Sequence, residues 1–261
     1  MPYADTETLL FTPGDDGVLT MTMNRPEKKN AANHVMWDDL LATFRTLKHD
    51  ADVRVFVITG AGDAFCSGAD LGGGGPQRHQ LAAMRHIHDI AIALHELPMP
   101  TIAKVNGVAA GAGCNMALGC DLIVASDRAR FSEIFARRGL SVDFGGTWLL
   151  PRLIGMHKAK ELAFFADVID ASTAERFGIV NHVVDHDELD AFVDDWAARL
   201  AAGPPIALAQ TKAMLNKSMT MTMDEALDNE GWAQTVNFST EDTREAVSAF
   251  LEKRDPSFRG R

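Results

Sequence analysis

Glycine and alanine crowd residues 105–126 (V-N-G-V-A-A-G-A-G-C-N-M-A-L-G-C-D-L-I-V-A-S), the stretch that most restricts how this chain can fold. Gly107, Gly111 and Gly113 tolerate positive φ and let another backbone, or a ligand, come to contact distance. The small-residue turn predicts a short helix over 112–119. The first N–H groups of such a helix have no internal partner and sit at the positive end of its dipole. That end suits a developing oxygen anion. Residues 121–125 then read as a buried strand.

Around this stretch the chain alternates strands and helices. Residues 17–23 (G-V-L-T-M-T-M) alternate apolar and polar, as a half-buried strand does. Asn33 is placed to cap a helix with Met36, Leu40, Phe44 and Leu47 on one face. The largely β-branched run 53–59 (V-R-V-F-V-I-T) predicts a strand buried on both faces. A helix with Leu81, Met84, Ile87, Ala91 and Leu94 on its apolar side stops before Pro98 and Pro100. Residues 101–105 and 130–132 read as strands and 145–153 as a helix. Ser172 and Glu175 have capping-box spacing, and Gly178 stops the helix they open. Residues 179–184 return as a strand, and Leu189, Phe192, Trp196 and Leu200 line a helix face. Beyond Pro204-Pro205 the pattern is helical over 205–216, 223–238 and 241–253, with Thr222 and Glu225 as a second capping pair. This order implies an α/β body over 1–203 and a helical region over 204–261 that packs on the body or on another subunit. The glycines of 72–75 predict a loop that is mobile and orders when ligand binds.

Composition narrows the function. The 261 residues, 46% of them hydrophobic, are ample for a large core. A net charge of -11 excludes nucleic acid as an expected partner, and a phosphate-rich small ligand would need local basic residues. No apolar run reaches membrane-spanning length, and a cytoplasmic setting without a membrane partner is expected. Cys66, Cys114 and Cys120 show no C-x-x-C spacing and read as buried thiols. A metal site is not expected. There is no G-x-G-x-x-G fingerprint for a dinucleotide.

Two turns carry the chemistry: Gly68-Ala69-Asp70 and Gly111-Ala112-Gly113. Each follows an apolar strand. If those strands are neighbours, the N–H groups of Ala69 and Ala112 converge on one oxygen. Glycine turns of this kind are also common in α/β proteins without such a role.

F-C-S-G-A-D-L at 65–71, V-N-G-V-A-A-G-A-G-C from 105 and G-G-T-W-L-L-P-R at 145–152 resemble the crotonase (enoyl-CoA hydratase/isomerase) superfamily. The likeness runs from N-R-P at 24–26 to F-L-E-K-R at 250–254 and is nearest in motif to ring-epoxide isomerases of phenylacetyl-CoA breakdown. It implies a spiral of ββα units and a C-terminal helical region that forms trimers or dimers of trimers. It implies an acyl-CoA ligand, with no cofactor beyond the coenzyme A of the substrate. The resemblance gives the thioester oxygen to the N–H groups of Ala69 and Ala112. It puts Lys28 and Lys29, then Phe250 and Lys253, near coenzyme A, and Asp70, Leu71 and Phe135 along the substrate.

Hydratases of this superfamily carry two glutamates where this chain has Asn115 and Phe135. Asn is no acid or base near neutral pH, and Phe holds no water. Asp143 matches the acid of isomerases in the superfamily, and Glu133 is kept as a spare acid. Asp143 also precedes a helix, where a carboxylate can serve as a cap with a lowered pKa. Against that, apolar Phe135, Phe144 and Trp148 would raise it. The resulting expectation is an acyl-CoA isomerase that shifts a double bond or rearranges a ring through a thioester enolate. The alternatives are a hydratase with altered acid and base groups, or an acyl-CoA binder without catalysis.

Overall fold

The computed structural model describes residues 3–72 and 79–261. The glycine run expected to order on binding falls, beyond Gly72, outside the described residues. The chain begins with β1 (Leu9–Pro13) and β2 (Val18–Met23), followed by α1 (His34–Leu47). Three ββα turns follow: β3 (Val55–Gly60), β4 (Ala64–Cys66) and α2 (Gln80–His95); β5 (Thr101–Val105), β6 (Val108–Ala110) and α3 (Ala112–Leu118); β7 (Leu122–Ser126), β8 (Arg130–Ser132) and α4 (Gly146–Ile154). Then come α5 (Met156–Phe165), β9 (Ile169–Asp170), α6 (Ala171–Phe177), β10 (His182–Val184) and α7 (Leu189–Ala201). The chain closes with α8 (Pro205–Ser218), α9 (Met223–Ser239) and α10 (Glu241–Glu252).

Each ββα turn places its first strand in one sheet and its second in another. Among the described residues the larger sheet has the order β1-β2-β3-β5-β7-β10 and the smaller β4-β6-β8-β9. Pairing is antiparallel at β1–β2 and β8–β9 and parallel elsewhere. The apolar run of β3 follows from two-sided burial. Phe56 and Ile58 join the main core with Phe44 and Leu40 of α1, while Val55 and Val57 face Leu189, Val193 and Ala197 of α7.

Close backbone approach joins the smaller sheet to α3. A Cβ on Gly113 would stand 2.2 Å from the Cys66 carbonyl oxygen, so only glycine lets α3 sit against β4. At α1, Asn33 caps as its position implies: its side chain accepts from the Met36 N–H. Lys212 of α8 ties the helical region to the body through Asp121 Oδ2 at 2.7 Å and the Met99 carbonyl oxygen at 3.0 Å.

Several sequence expectations change. Asp170, not Ser172, caps α6, accepting from the Thr173 N–H, and Glu175 accepts from the Val183 N–H instead of closing a capping box. Asp170 wins because β9 ends one residue before the helix and delivers its carboxylate to the first turn. Leu81 is 52% exposed, and α2 buries Ile90 and Leu94, because only its C-terminal half lies on the core. Strands β4 and β6 have three residues each, too few to show a period. Helix α5 keeps Phe164 and Phe165 exposed, so its apolar positions trace no core stripe. The Thr222–Glu225 capping box forms as predicted. Met219 and Met223 stand in solvent, so neither packs the core of this chain.

Gly113→Ala is expected to cost about 2–3 kcal/mol, the range for forcing atoms into a packed interior. Asn33→Ala should cost about 1 kcal/mol, a lost cap. Urea unfolding of both variants beside the parent checks the order, and a silent Gly113→Ala would contradict the α3–β4 contact.

Candidate functional site

Strands β4 and β6 are parallel neighbours with Cys66 opposite Ala109. Their C-terminal ends therefore deliver the two glycine turns side by side. Gly68 has φ +99°, and a Cβ there would lie 2.9 Å from the Ala110 carbonyl oxygen and 3.6 Å from the Ala112 nitrogen. The other edge of the Ala69 turn is held by residue 32. The Ala32 N–H donates to the Gly68 carbonyl (2.8 Å), and the Asp70 N–H donates to the Ala32 carbonyl (2.9 Å). Extended backbone alternates its hydrogen-bonding sides, so the Ala69 N–H faces away from residue 32 toward the β6 turn. Ala112 opens α3, and its N-cap Gly111 has no side chain to occupy the helix end. Among the described residues neither the Ala69 nor the Ala112 N–H is used in a hydrogen bond within the chain. Two free donors on neighbouring turns, one of them at a helix N-terminus, are a place for a negative oxygen.

Three polar side chains meet behind α3. Asn115 is fully buried on the second turn of the helix. Its Nδ2 donates to the Asp143 carbonyl oxygen at 2.9 Å and lies 3.4 Å from Glu133 Oε2. Glu133, 2% exposed, follows β8 directly, with the Cys114 thiol near its carboxyl. Burial and the charge of Asp143 push Glu133 up to about 7, against the hydrogen bonds from Asn115 and Cys114. Asn115 Oδ1, Glu133 Oε1 and Asp143 Oδ1 are buried acceptors without a partner. Three unsatisfied acceptors in one cluster are costly unless a donor visits them. Glu133 thus belongs to the site more closely than the sequence implied.

Asp143 is not a cap. Gly145 caps α4 without any side-chain bond, and the turn before it is left-handed at Phe144 (φ 49°) and Gly145 (φ 80°). Positive φ at phenylalanine is strained, and the bonds from Asn115 Nδ2 and the Gly146 N–H to the Asp143 carbonyl hold the turn. Burial pushes the Asp143 carboxyl up to about 6, with His88 opposing the shift. Of the three aromatic residues expected around it, Phe135 and Phe144 are buried. The Phe135 ring lies 3.7 Å from where a Gly111 Cβ would be, close to the oxyanion turn. Trp148 instead meets His95 edge-on and lies under Arg152, beside a cavity of about 800 Å³ between α2, α4 and α8.

Lys28 and Lys29 are exposed and border the Ala69 turn: their carbonyl oxygens accept from Ser67 Oγ and the Ser67 N–H. Asp70 turns its carboxylate to Arg25, and Leu71 is exposed in the following turn. Phe250 is 82% exposed near the end of α10, and Lys253 is its C-cap. Among the described residues no hydrogen bond or ion pair links either to the Ala69–Ala112 pair. His182 and His186 stand four residues apart, but β10 ends between them. His182 packs against Phe192 at a tilt and Trp196 edge-on, while His186 bonds Ser126. Among the described residues no group of three His, Cys, Asp or Glu is placed to hold a metal. Among the described residues no helix is long and apolar enough to cross a membrane. The linking role of Asn115 was missed in the sequence, where it stood out only as a departure from a glutamate.

Residues 14–261 match the family described as Enoyl-CoA hydratase/isomerase. The 1,2-epoxyphenylacetyl-CoA isomerase of Escherichia coli is 38% identical over 95% of this chain and 97% of its own. A probable enoyl-CoA hydratase of Rhodobacter capsulatus is 39% identical over 94% of this chain and 96% of its own. Among solved structures, an enoyl-CoA hydratase from Bacillus anthracis superimposes with a TM-score of 0.93 at 29% identity, covering 98% of this chain and all of that one.

Glu133 gives a signed pH dependence. Its folded value of about 7 lies above the unfolded 4.5, so the folded chain holds the proton more tightly. The stability it contributes is complete below about 4.5 and is lost as pH rises through about 7. Asp143 has the same sign between 3.8 and about 6. Relative to Glu133→Gln, the parent should therefore lose on the order of 3 kcal/mol between pH 4.5 and 8. Urea melts of both proteins at the two pH values measure it; a gain for the parent on raising pH would contradict the buried carboxyl.

Proposed function

The chain belongs to the enoyl-CoA hydratase/isomerase family, and from that membership we propose that it is an acyl-CoA isomerase. The Ala69 and Ala112 N–H groups hold the thioester oxygen. Asp143, ionised, removes a proton from a carbon of the acyl group, and the electron pair moves into the carbonyl to give an enolate. The same carboxyl returns the proton at a different carbon, so a double bond shifts or a ring rearranges without gain or loss of atoms. One shuttling carboxylate is enough. The N–H pair stabilises charge that exists only in the enolate, which is where binding accelerates reaction.

The observation that carries this reading is Asp143: a carboxyl with a buried, unpartnered oxygen and a pKa raised to about 6 by burial. Asn115 and Phe135, where the superfamily's hydratases have glutamates, weigh against water addition. Lys28, Lys29 and the exposed Leu71 border the Ala69 turn and are assigned to the coenzyme A side of the substrate, which brings its own coenzyme; Phe250 and Lys253 are assigned there through assembly. Exposed Trp232, Phe238 and Leu251 on α9 and α10 support a trimer or dimer of trimers. A second reading, hydration, rests on Glu133: its free Oε1 and the Asp143 carboxyl together resemble a pair able to hold a water.

The test is incubation of the parent and Asp143→Asn with 3-enoyl-CoA and 2-enoyl-CoA, following double-bond migration and hydration separately. The parent should isomerise, with kcat/KM falling as pH drops through about 6, because Asp143 must be ionised. Asp143→Asn should lose roughly 100-fold or more in isomerisation at similar affinity and melting temperature. Wild-type turnover in Asp143→Asn would end the assignment. Hydration that depends on Glu133 would establish the second reading.

A further inference from the structure

Arg25 lies outside the pair of N–H donors and the acid cluster, yet it grips the backbone that aims one of those donors. Its Nη1 donates to the Ala31 carbonyl oxygen, and its Nη2 meets Asp70 Oδ2 at 3.0 Å. Both partners of that ion pair are mostly buried, with side chains 16% and 13% exposed. Ala31 precedes Ala32, which holds the outer edge of the Ala69 turn. Asp70 follows Ala69 directly. One guanidinium thus bridges the two strips whose mutual hydrogen bonds leave the Ala69 N–H free. Its own position is over-determined: the Arg25 N–H donates to Asn30 Oδ1, and the Arg25 carbonyl accepts from Lys28 and Asn30. Asn30, fully buried, bonds the Ala61 and Ala64 carbonyls and so anchors the loop to β4.

The Asp70 carboxylate is used up in the same way. Oδ2 faces Arg25 and Oδ1 accepts from the Gly72 N–H, and these bonds hold its pKa below the ordinary value. A carboxylate so engaged is no ligand for a thioester. Its side chain braces the turn that its neighbour Ala69 uses.

We propose that Arg25 is a positioning residue for the oxyanion site: its fork to Asp70 and Ala31 fixes the direction of the Ala69 N–H. This rests on the reading that Ala69 and Ala112 hold a thioester oxygen. The fork requires a planar guanidinium with two parallel donors, which a lysine ammonium does not offer. Loss of the fork leaves the turn paired to Ala32 but free to pivot about Gly68. A donor misplaced by about 1 Å loses much of its effect on the transition state.

The test compares the parent with Arg25→Gln, Arg25→Lys and Asp70→Asn. The probe is hexanoyl-CoA labelled with ¹³C at the thioester carbonyl, which binds but has no double bond to move. In the parent, the bound carbonyl stretch should fall below its free value because two N–H donors polarise it. Arg25→Gln should return the stretch at least halfway to the free value. In turnover with 3-enoyl-CoA it should lower kcat by about 10- to 100-fold, with KM within about 3-fold. Arg25→Lys should recover the melting temperature more fully than the carbonyl shift, since it restores charge without the fork. If Arg25→Gln does not fold, Asp70→Asn reads the same geometry, with a loss of about 3- to 10-fold in kcat. A folded Arg25→Gln, or Asp70→Asn in its place, with the parent's carbonyl shift and kcat overturns the proposal even if its melting temperature falls. Failure of the parent itself to bind or shift the labelled thioester removes the acyl-CoA reading, and this inference with it.

Discussion

The parallel pairing of β4 with β6 is the contact on which the rest of the site depends. It sets the Gly68-Ala69 and Gly111-Ala112 turns beside each other. Everything that flanks those turns is then consumed in backbone bonds: Ala32 takes the groups on either side of Ala69, and the Gly111 N–H goes to the Ser132 carbonyl. The N–H groups of Ala69 and Ala112 are left over, on turns that the β4–β6 pairing makes neighbours. Ala69 is exposed, but buried polar groups are normally paired, so a free N–H at buried Ala112 is unusual. It persists here because close approaches at Gly113 and Gly68 leave the backbone nowhere else to go.

The acid cluster depends on that frame. Asn115 lies on α3, one turn beyond Ala112, so the helix that ends in a donor also carries the amide that links Glu133 to the Asp143 loop. A glutamate at 115 would bring a third carboxyl against Glu133 and Asp143 in a chain of net charge -11. Like charges in a desolvated site drive each other's pKa up and keep protons on. A neutral amide donates instead. It lies within hydrogen-bond reach of one oxygen of Glu133 and holds the Asp143 backbone, while the Asp143 carboxyl keeps a lower value, about 6 against about 7 for Glu133. In the proposed mechanism that lower value is what singles out Asp143 as the base.

The C-terminal helices answer to a different constraint. Their attachment to the body is polar and local, through Lys212 to Asp121 and the Met99 carbonyl, Asn216 to the His95 carbonyl, and Arg54 to the Phe258 carbonyl. Their apolar side chains largely face outward, as at Trp232, Phe238, Phe250 and Leu251. The body's α4 and α5 likewise expose Leu153, Met156, Phe164 and Phe165.

What could be read without a structure followed from local physics. Asn33 as a cap, the two-sided burial of β3, the α3 helix, the Thr222–Glu225 box and the glycine turns each depend on residues near in the chain. Their energies are decided by φ preferences, caps and hydrophobic period, which a sequence displays directly. The superfamily could be recognised because its motifs lie in those turns. What only the tertiary structure decided depends on residues far apart in the chain. Whether Asp143 caps a helix or stands free rests on the left-handed turn at Phe144 and on Asn115, 28 positions earlier. Glu133 became part of the site because β8 turns it inward toward α3, a direction that one residue of register reverses. Trp148 left the site because α4 rotates it onto His95. Arg25 meets Asp70 across 45 residues, and no periodicity encodes such a pairing. Local preference chose the elements; the packing of one element on another chose which side chains share a space.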